Sequence, residues 1–206
     1  MNFYEINVLS MGGKFPWAVG YGPLQSMPFL DGLSKALRER RSNYWRVNPS
    51  LPGMNIDPGG RSWSHMIGCG LGMPEFFVSE KLLQDLEDFE TPIMRTTEIP
   101  IASIAAKALR KFPAPKYYVL EAIPGIECAW EAMGIPLDGN RKPILQPRPN
   151  PFPKAKYSLS SWNGLDLFSP PGGIITTSLF CTERVKELAE QKGWTNVKFV
   201  PLDVVD

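Results

Sequence analysis

The sequence predicts a single α+β domain spanning 1–206, in which a mixed or antiparallel sheet is flanked by about four helices. Three observations favour this fold class. Short apolar, β-prone runs lie near both ends of the chain. Other segments carry apolar residues at helical spacing. Long Pro/Gly-rich loops connect these elements, because the chain contains 21 Pro and 18 Gly among its 206 residues.

The first third of the chain is predicted to begin with a strand at 3–9, which is apolar and β-prone. Glycines and prolines then indicate a loop. Leucines at positions 30, 33 and 37 follow helical spacing and predict a helix near 30–41. Residues 48–74 are again rich in Gly and Pro, and an irregular segment of this length indicates either a functional loop or an error in the element assignment.

The middle of the chain is predicted to contain two strands and two helices. A short apolar strand at 75–78 precedes a helix at 80–89, which Ser79 can cap because its hydroxyl accepts a backbone N–H. Apolar spacing predicts a further helix at 101–111. Residues 116–123 have the composition of a strand.

The C-terminal quarter is predicted to fold as a strand–helix–strand unit. An apolar strand at 179–181 leads to Thr182, which is predicted to cap the following helix. The helix runs over 182–192, and Gly193 fits the left-handed position that ends many helices. A β-prone run at 196–202 completes the unit.

Two stretches, 76–82 and 179–185, share one pattern: three apolar residues, a hydroxyl residue, Glu, a basic residue and an aliphatic residue. This similarity has two interpretations. It can reflect duplication of a strand–cap–helix segment, or convergence, because good strand-to-helix turns favour the same chemistry. The match is too short to indicate a solenoid.

The formal net charge of +1 argues against a strongly basic nucleic-acid-binding protein. Residues 141–156 are basic and proline-rich, and predict an extended connector on the surface between possible sub-lobes 1–140 and 157–206. Residues 75–98 are acidic, with seven acids and two bases. This segment is the predicted partner-binding surface, through Glu80, Asp85, Glu87 and Asp88.

Three widely spaced cysteines (Cys69, Cys128 and Cys181) indicate a reducing compartment without a disulfide framework. The N-terminal segment lacks the basic and apolar regions of a secretory signal, and no apolar run is long enough to span a membrane. We therefore expect a cytoplasmic protein. His65 and Cys69 are the only close His–Cys pair, and no C-x-x-C spacing indicates a metal site.

Four segments, 161–168 (SWNGLDLF), 174–177 (IITT), 181–185 (CTERV) and 193–202 (GWTNVKFVPL), resemble the C-terminal half of the double-CXXCG-motif family. That family is similar to predicted immunity proteins of bacterial polymorphic-toxin systems. The residues that carry the resemblance have the character of a folding signature, and comprise Trp162, Gly164, Asp166, Phe168, Thr182, Glu183, Gly193 and Phe199.

The sequence departs from the family at its cysteine motifs. The first motif corresponds to 66–70, where Met66 replaces the first cysteine, and no second pair precedes residue 160. The zinc ribbon that the motifs imply is therefore expected to be absent. The resemblance implies an immunity protein that binds and neutralises a cognate protein toxin by occlusion. It implies no catalytic, cofactor or metal residues.

Two other function classes are compatible with the sequence. One is a small Cys-dependent hydrolase that uses Cys69 as nucleophile and His65 as base. The other is a non-catalytic scaffold or binding module that uses the proline-rich connector.

Overall fold

The computed structural model describes residues 1–9, 14–16, 18–21, 54–56, 59–68, 77–87, 89, 95–144, 154–169 and 179–206. This part of the chain is mostly sheet. Its strands are β1 (Phe3–Val8), β2 (Ala18–Tyr21), β3 (Met54–Ile56), β4 (Met66–Ile67), β5 (Phe77–Ser79), β6 (Arg95–Ile99), β7 (Ile101–Ile104), β8 (Tyr117–Glu121), β9 (Glu127–Cys128), β10 (Lys156–Ser158), β11 (Leu167–Phe168), β12 (Leu179–Thr182), β13 (Val197–Pro201) and β14 (Asp203–Val205). Its α-helices are α1 (Glu80–Asp85) and α2 (Glu183–Lys192).

The prediction of a sheet flanked by about four helices is wrong, because the described residues contain only two α-helices. The segment predicted as a helix at 101–111 instead contains β7 and a 3₁₀ turn, Leu109–Lys111. Strand β7 pairs with β3, and this long-range pairing overrides the local helical spacing. The helix predicted at 80–89 ends at Asp85. The helix predicted near 30–41 lies outside the described residues.

The C-terminal strand–helix–strand prediction is confirmed in its elements, β12, α2 and β13. Gly193 ends α2 with φ 66°, a left-handed conformation that glycine adopts without steric cost. Within the described part of the chain, neither helix is long and apolar enough to cross a membrane.

The strand pairings form two matching sets. In one set, β12 lies between β11 and β1, β1 also pairs with β13, and β10 lies between β14 and β9. In the other, β5 lies between β4 and β8, β8 also pairs with β6, and β3 lies between β7 and β2. The pairings of β10 with β14 and of β3 with β7 are parallel, and all others are antiparallel.

These two sets follow the same order along the chain. Strands β1 to β7 with α1 correspond one by one to β8 to β14 with α2. The described part of the chain therefore contains two copies of one unit, which we call repeat 1 (the described residues within 1–104) and repeat 2 (those within 116–206). The segment between them, 105–115, is called the inter-repeat linker.

Backbone hydrogen bonds match between the repeats. The Ser79 amide donates to the His65 carbonyl at 2.8 Å, and in repeat 2 the Thr182 amide donates to the Asp166 carbonyl at 2.9 Å. The backbone amide of the first residue of each helix also makes a matching bond. The Glu80 amide donates to the Lys116 carbonyl, and the Glu183 amide donates to the Asn2 carbonyl. Convergence at one turn would not reproduce pairings throughout both units. Duplication is therefore the interpretation of the short sequence similarity that the fold supports.

The repeats exchange their first strands. Strand β1 belongs to repeat 1 but pairs with β12 and β13 of repeat 2. Strand β8 belongs to repeat 2 but pairs with β5 and β6 of repeat 1. Each of the two four-stranded sheets, β11-β12-β1-β13 and β4-β5-β8-β6, therefore includes one strand from the other repeat.

A shared hydrophobic core joins the repeats. Its buried side chains come from both helices and both larger sheets, and comprise Ile6, Met66, Val78, Leu82, Leu86, Leu167, Leu179, Cys181, Val185, Ala189 and Trp194. A second hydrophobic cluster lies on the opposite face of the β11-β12-β1-β13 sheet. There the rings of Phe168 and Phe180 pack edge to face, with their centroids 6.0 Å apart. Burial of this apolar surface stabilises the two repeats as one unit.

Candidate partner-binding surfaces

The inter-repeat linker is fixed to the protein at two points. Ala106 and Leu109 have no exposed surface, so they anchor the segment in the core. Between β7 and β8 the linker turns through Leu109–Lys111, and the Arg110 Nε atom donates to the Ile104 carbonyl at 2.7 Å. The turn therefore has a defined conformation.

The outer face of this linker is basic and carries an exposed aromatic ring. Lys107, Arg110 and Lys111 are exposed, and 57% of the Phe112 surface is accessible. No acidic residue occurs anywhere in 99–120. Within the described part of the chain, no ion pair neutralises the linker cations.

The acidic segment predicted to bind a partner is partly engaged within the protein. Glu80 lies 3.5 Å from Lys116 Nζ and accepts a hydrogen bond from the Tyr118 hydroxyl at 3.3 Å. The Glu80 carboxylate raises the pKa of the Lys116 ammonium group, because it stabilises the charged form. These bonds hold the start of α1 against β8.

Asp85 lies at the contact between the repeats. It accepts a hydrogen bond from the Trp194 Nε1 atom at 2.9 Å, and Lys192 Nζ lies 3.7 Å away. Glu87 is exposed, and Asp88 lies outside the described residues. Partner binding by these four residues stays a prediction, although Glu80 and Asp85 also have structural roles.

Asp166 is the centre of a polar cluster at the start of α2. The Thr182 hydroxyl donates to Asp166 Oδ1 at 2.5 Å, and Arg184 Nη1 donates to Asp166 Oδ2 at 2.7 Å. Thr182 occupies the predicted N-cap position, but the prediction that its side chain caps α2 is wrong, because its hydroxyl bonds to Asp166 and not to the helix backbone. In repeat 1, Ser79 does cap α1, because its oxygen accepts the Leu82 amide at 3.3 Å.

The other signature residues also support the fold. Trp162 packs edge to face on Phe3, with ring centroids 5.2 Å apart, and its Nε1 atom donates to the Leu165 carbonyl. Phe168 is fully buried. The Phe199 ring packs against Tyr4.

The signature glycine and glutamate have local roles. Gly164 adopts a φ of 88°, which favours glycine at this turn. The Glu183 carboxylate accepts hydrogen bonds from the side-chain amide of Asn2 and from the Tyr4 hydroxyl. The signature that carries the family resemblance is therefore placed where it stabilises repeat 2.

The hydrogen bond from the Thr195 amide favours one neutral form of His65. The Thr195 backbone amide donates to His65 Nδ1 at 3.1 Å, so the ring hydrogen of the neutral form is on Nε2. Desolvation by burial lowers the pKa of His65, with a smaller contribution from Lys81. A neutral ring with hydrogen on Nε2 has no free lone pair there, which does not suit a general base.

The thiols in the described part of the chain are not activated. Burial raises the pKa of both Cys128 and Cys181, which disfavours the nucleophilic thiolate. Cys69, the predicted nucleophile, lies outside the described residues. Across the described ranges, no group of three or more His, Cys, Asp or Glu side chains is arranged to hold a metal ion.

Sequence reasoning missed the linker surface because 101–111 was predicted to be helical. Two features of the sequence are the signal for an exposed basic surface there. Residues 99–120 contain no acid, and Phe112 directly precedes a proline. No family model matches this chain, and no curated protein matches it.

Proposed function

We propose that this chain is an immunity protein that acts in the cytoplasm, where it binds a cognate bacterial toxin and neutralises it by occlusion. The observation that carries the proposal is a contrast between two sets of side chains: the titratable groups that are partly or fully buried, and the charged and aromatic groups that the linker exposes. Among the described groups most suited to chemistry, burial lowers the pKa of His65 and raises the pKa of Cys128 and Cys181, which favours the neutral form of each. The linker, in contrast, presents cations and an aromatic ring to solvent.

The resemblance of 161–202 to the double-CXXCG-motif family supports the same proposal. The exchanged strands and the shared core also suit an inhibitor that acts by contact, because a preorganised surface loses little conformational entropy on binding. Occlusion requires a surface and no reaction.

Co-expression tests the proposal. The chain is expressed together with the toxin encoded by the adjacent gene, and we expect cell growth to be restored. A catalytically inactivated toxin provides the probe for complex formation by size-exclusion chromatography. Toxicity that is unchanged by the chain would reject the immunity function.

Two substitutions distinguish occlusion from the hydrolase alternative. Occlusion predicts that Cys69→Ser and His65→Asn still protect cells, because neither residue has a chemical role. If protection instead depended on hydrolysis by Cys69 with His65 as base, either substitution would abolish protection. Thermal unfolding of both variants serves as the control for folding.

A further inference from the structure

The inter-repeat linker belongs to neither repeat, and its outer face combines charge with an exposed apolar ring. Phe112 is one of the large apolar side chains of the described residues that are exposed, with 57% of its surface accessible, whereas Leu109 three positions earlier is fully buried. Aromatic side chains and arginine are enriched at protein interfaces, where a few of them supply most of the binding energy. The linker thus has the composition of a docking surface.

We propose that the linker turn, formed by Lys107, Arg110, Lys111 and Phe112, docks an acidic protein surface that has an apolar pocket for the Phe112 ring. This inference rests on the proposed function, and identifies the occupant as the acidic face of the toxin. Lysine and arginine would pair with carboxylates around the rim of the pocket. The ring would supply the buried centre of the contact.

The geometry of the linker favours this role. Buried Ala106 and Leu109 fix the turn, so Lys107 and Lys111 extend from a segment that is already ordered. Among the described residues, the Arg110 side chain donates to the Ile104 carbonyl through Nε, and its terminal nitrogens form no further bond, so they are able to donate to a partner. Little ordering would therefore be needed on binding.

The charge distribution favours a protein over a nucleic acid. Within the described residues, Lys107, Arg110 and Lys111 lie on one short turn, and the whole chain has a formal net charge of only +1. Nucleic-acid binding depends on neutralising many phosphates along an extended footprint. A compact cluster of three cations around one ring fits a carboxylate-rimmed pocket better.

Charge reversal tests the proposal against a matched control. The variant K107E/K111E reverses two linker cations, and the control K154E/K198E reverses two exposed lysines outside the linker. Both variants change the net charge equally. Binding to the inactivated toxin is measured at several salt concentrations. We expect K107E/K111E and F112A each to weaken binding about tenfold or more, whereas the control stays within about twofold.

A second probe separates this inference from the proposed function. A synthetic peptide of alternating Glu and Leu residues should bind the wild-type chain at low salt, and K107E/K111E should weaken that binding. A peptide with Lys in place of Glu should not bind. If the acidic peptide binds as predicted but the toxin is not neutralised, the immunity proposal fails and the docking surface stands.

Three outcomes would overturn the inference. Linker variants that bind the toxin like the wild type would exclude this surface. Loss of binding in E87K, with K107E/K111E unaffected, would assign docking to the acidic segment. Preferential binding of a DNA duplex over the acidic peptide, abolished by K107E/K111E, would identify a nucleic-acid surface.

Discussion

Tyr4 and Tyr118 hold equivalent positions in the two repeats, and each donates a hydrogen bond to the glutamate at the first position of a helix. The Tyr4 hydroxyl lies 3.4 Å from Glu183, and the Tyr118 hydroxyl lies 3.3 Å from Glu80. In both cases the tyrosine and the glutamate belong to different repeats. The exchange of first strands is thus reinforced by matching side-chain contacts.

Strand exchange predicts that cleaving the linker will not separate the repeats. A protease recognition sequence inserted after Phe112 would allow the folded protein to be cut at an exposed position. Because β1 and β8 are each paired with the opposite repeat, we expect both fragments to elute together at the position of the uncut protein.

Denaturant provides the control for this experiment, since both fragments should separate once the strands unfold. Fragments that separate on the column under native conditions would show that the exchanged strands do not hold the repeats together.

Gly125 is predicted to tolerate no side chain. An added Cβ would lie 2.4 Å from Phe168 Cγ, and Phe168 is fully buried. We expect Gly125→Ala to lower the free energy of unfolding by about 1–3 kcal/mol, because overpacking forces the core to shift. Urea denaturation followed by tryptophan fluorescence measures this change.

Gly139→Ala is the matched control, because an added Cβ there meets no atom within 4 Å. Its effect should be within about 0.5 kcal/mol, as for most surface substitutions. Equal stability of the two variants would contradict the packing described around Phe168.

Asp166 is predicted to stabilise repeat 2 chiefly by satisfying Thr182. The Thr182 hydroxyl is buried, so Asp166→Ala would leave it without its acceptor. We expect a loss of about 1–3 kcal/mol in the free energy of unfolding. Urea denaturation of the purified variants provides the measurement.

A double variant tests this reasoning. Thr182→Val removes the hydroxyl at similar volume, so D166A/T182V should be at least as stable as D166A alone. If the two substitutions instead have additive costs, the Thr182–Asp166 bond is not the source of the effect.

Local signals explain which elements could be predicted from the sequence. Helix α2, with Thr182 before it and Gly193 after it, depends on neighbouring residues and was predicted closely. The strand Ile101–Ile104 was predicted as a helix because its spacing suits one. Its actual conformation depends on pairing with Met54–Ile56, which local sequence does not encode.

The candidate site was predicted less well for the same physical reason. The acidic residues at 80–88 are predicted to form a partner-binding surface, yet Asp85 bonds to Trp194, which is distant in sequence. Strand exchange places Tyr4 beside Cys181 and Tyr118 beside Val78. Such pairings follow from the whole topology, and the short duplicated pattern does not encode them.

His65 is predicted to make stability depend on pH in the acidic range. Burial lowers its pKa below the ordinary value of 6.5, so the folded state favours the neutral ring. The unfolded state therefore binds the proton more readily. The contribution of His65 to stability is fully present above pH 6.5 and is lost as the pH falls from there through the folded-state pKa.

His65→Asn isolates this effect, because Asn does not titrate and its side-chain oxygen can accept the Thr195 amide. The free energy of unfolding is measured by urea denaturation for both proteins at a series of pH values from neutral to acidic. We expect the wild type to lose stability relative to the variant as the pH falls below 6.5. The difference should then level off once His65 is protonated in both states. Curves that stay parallel across this range would show that His65 is not held in the neutral form by the fold.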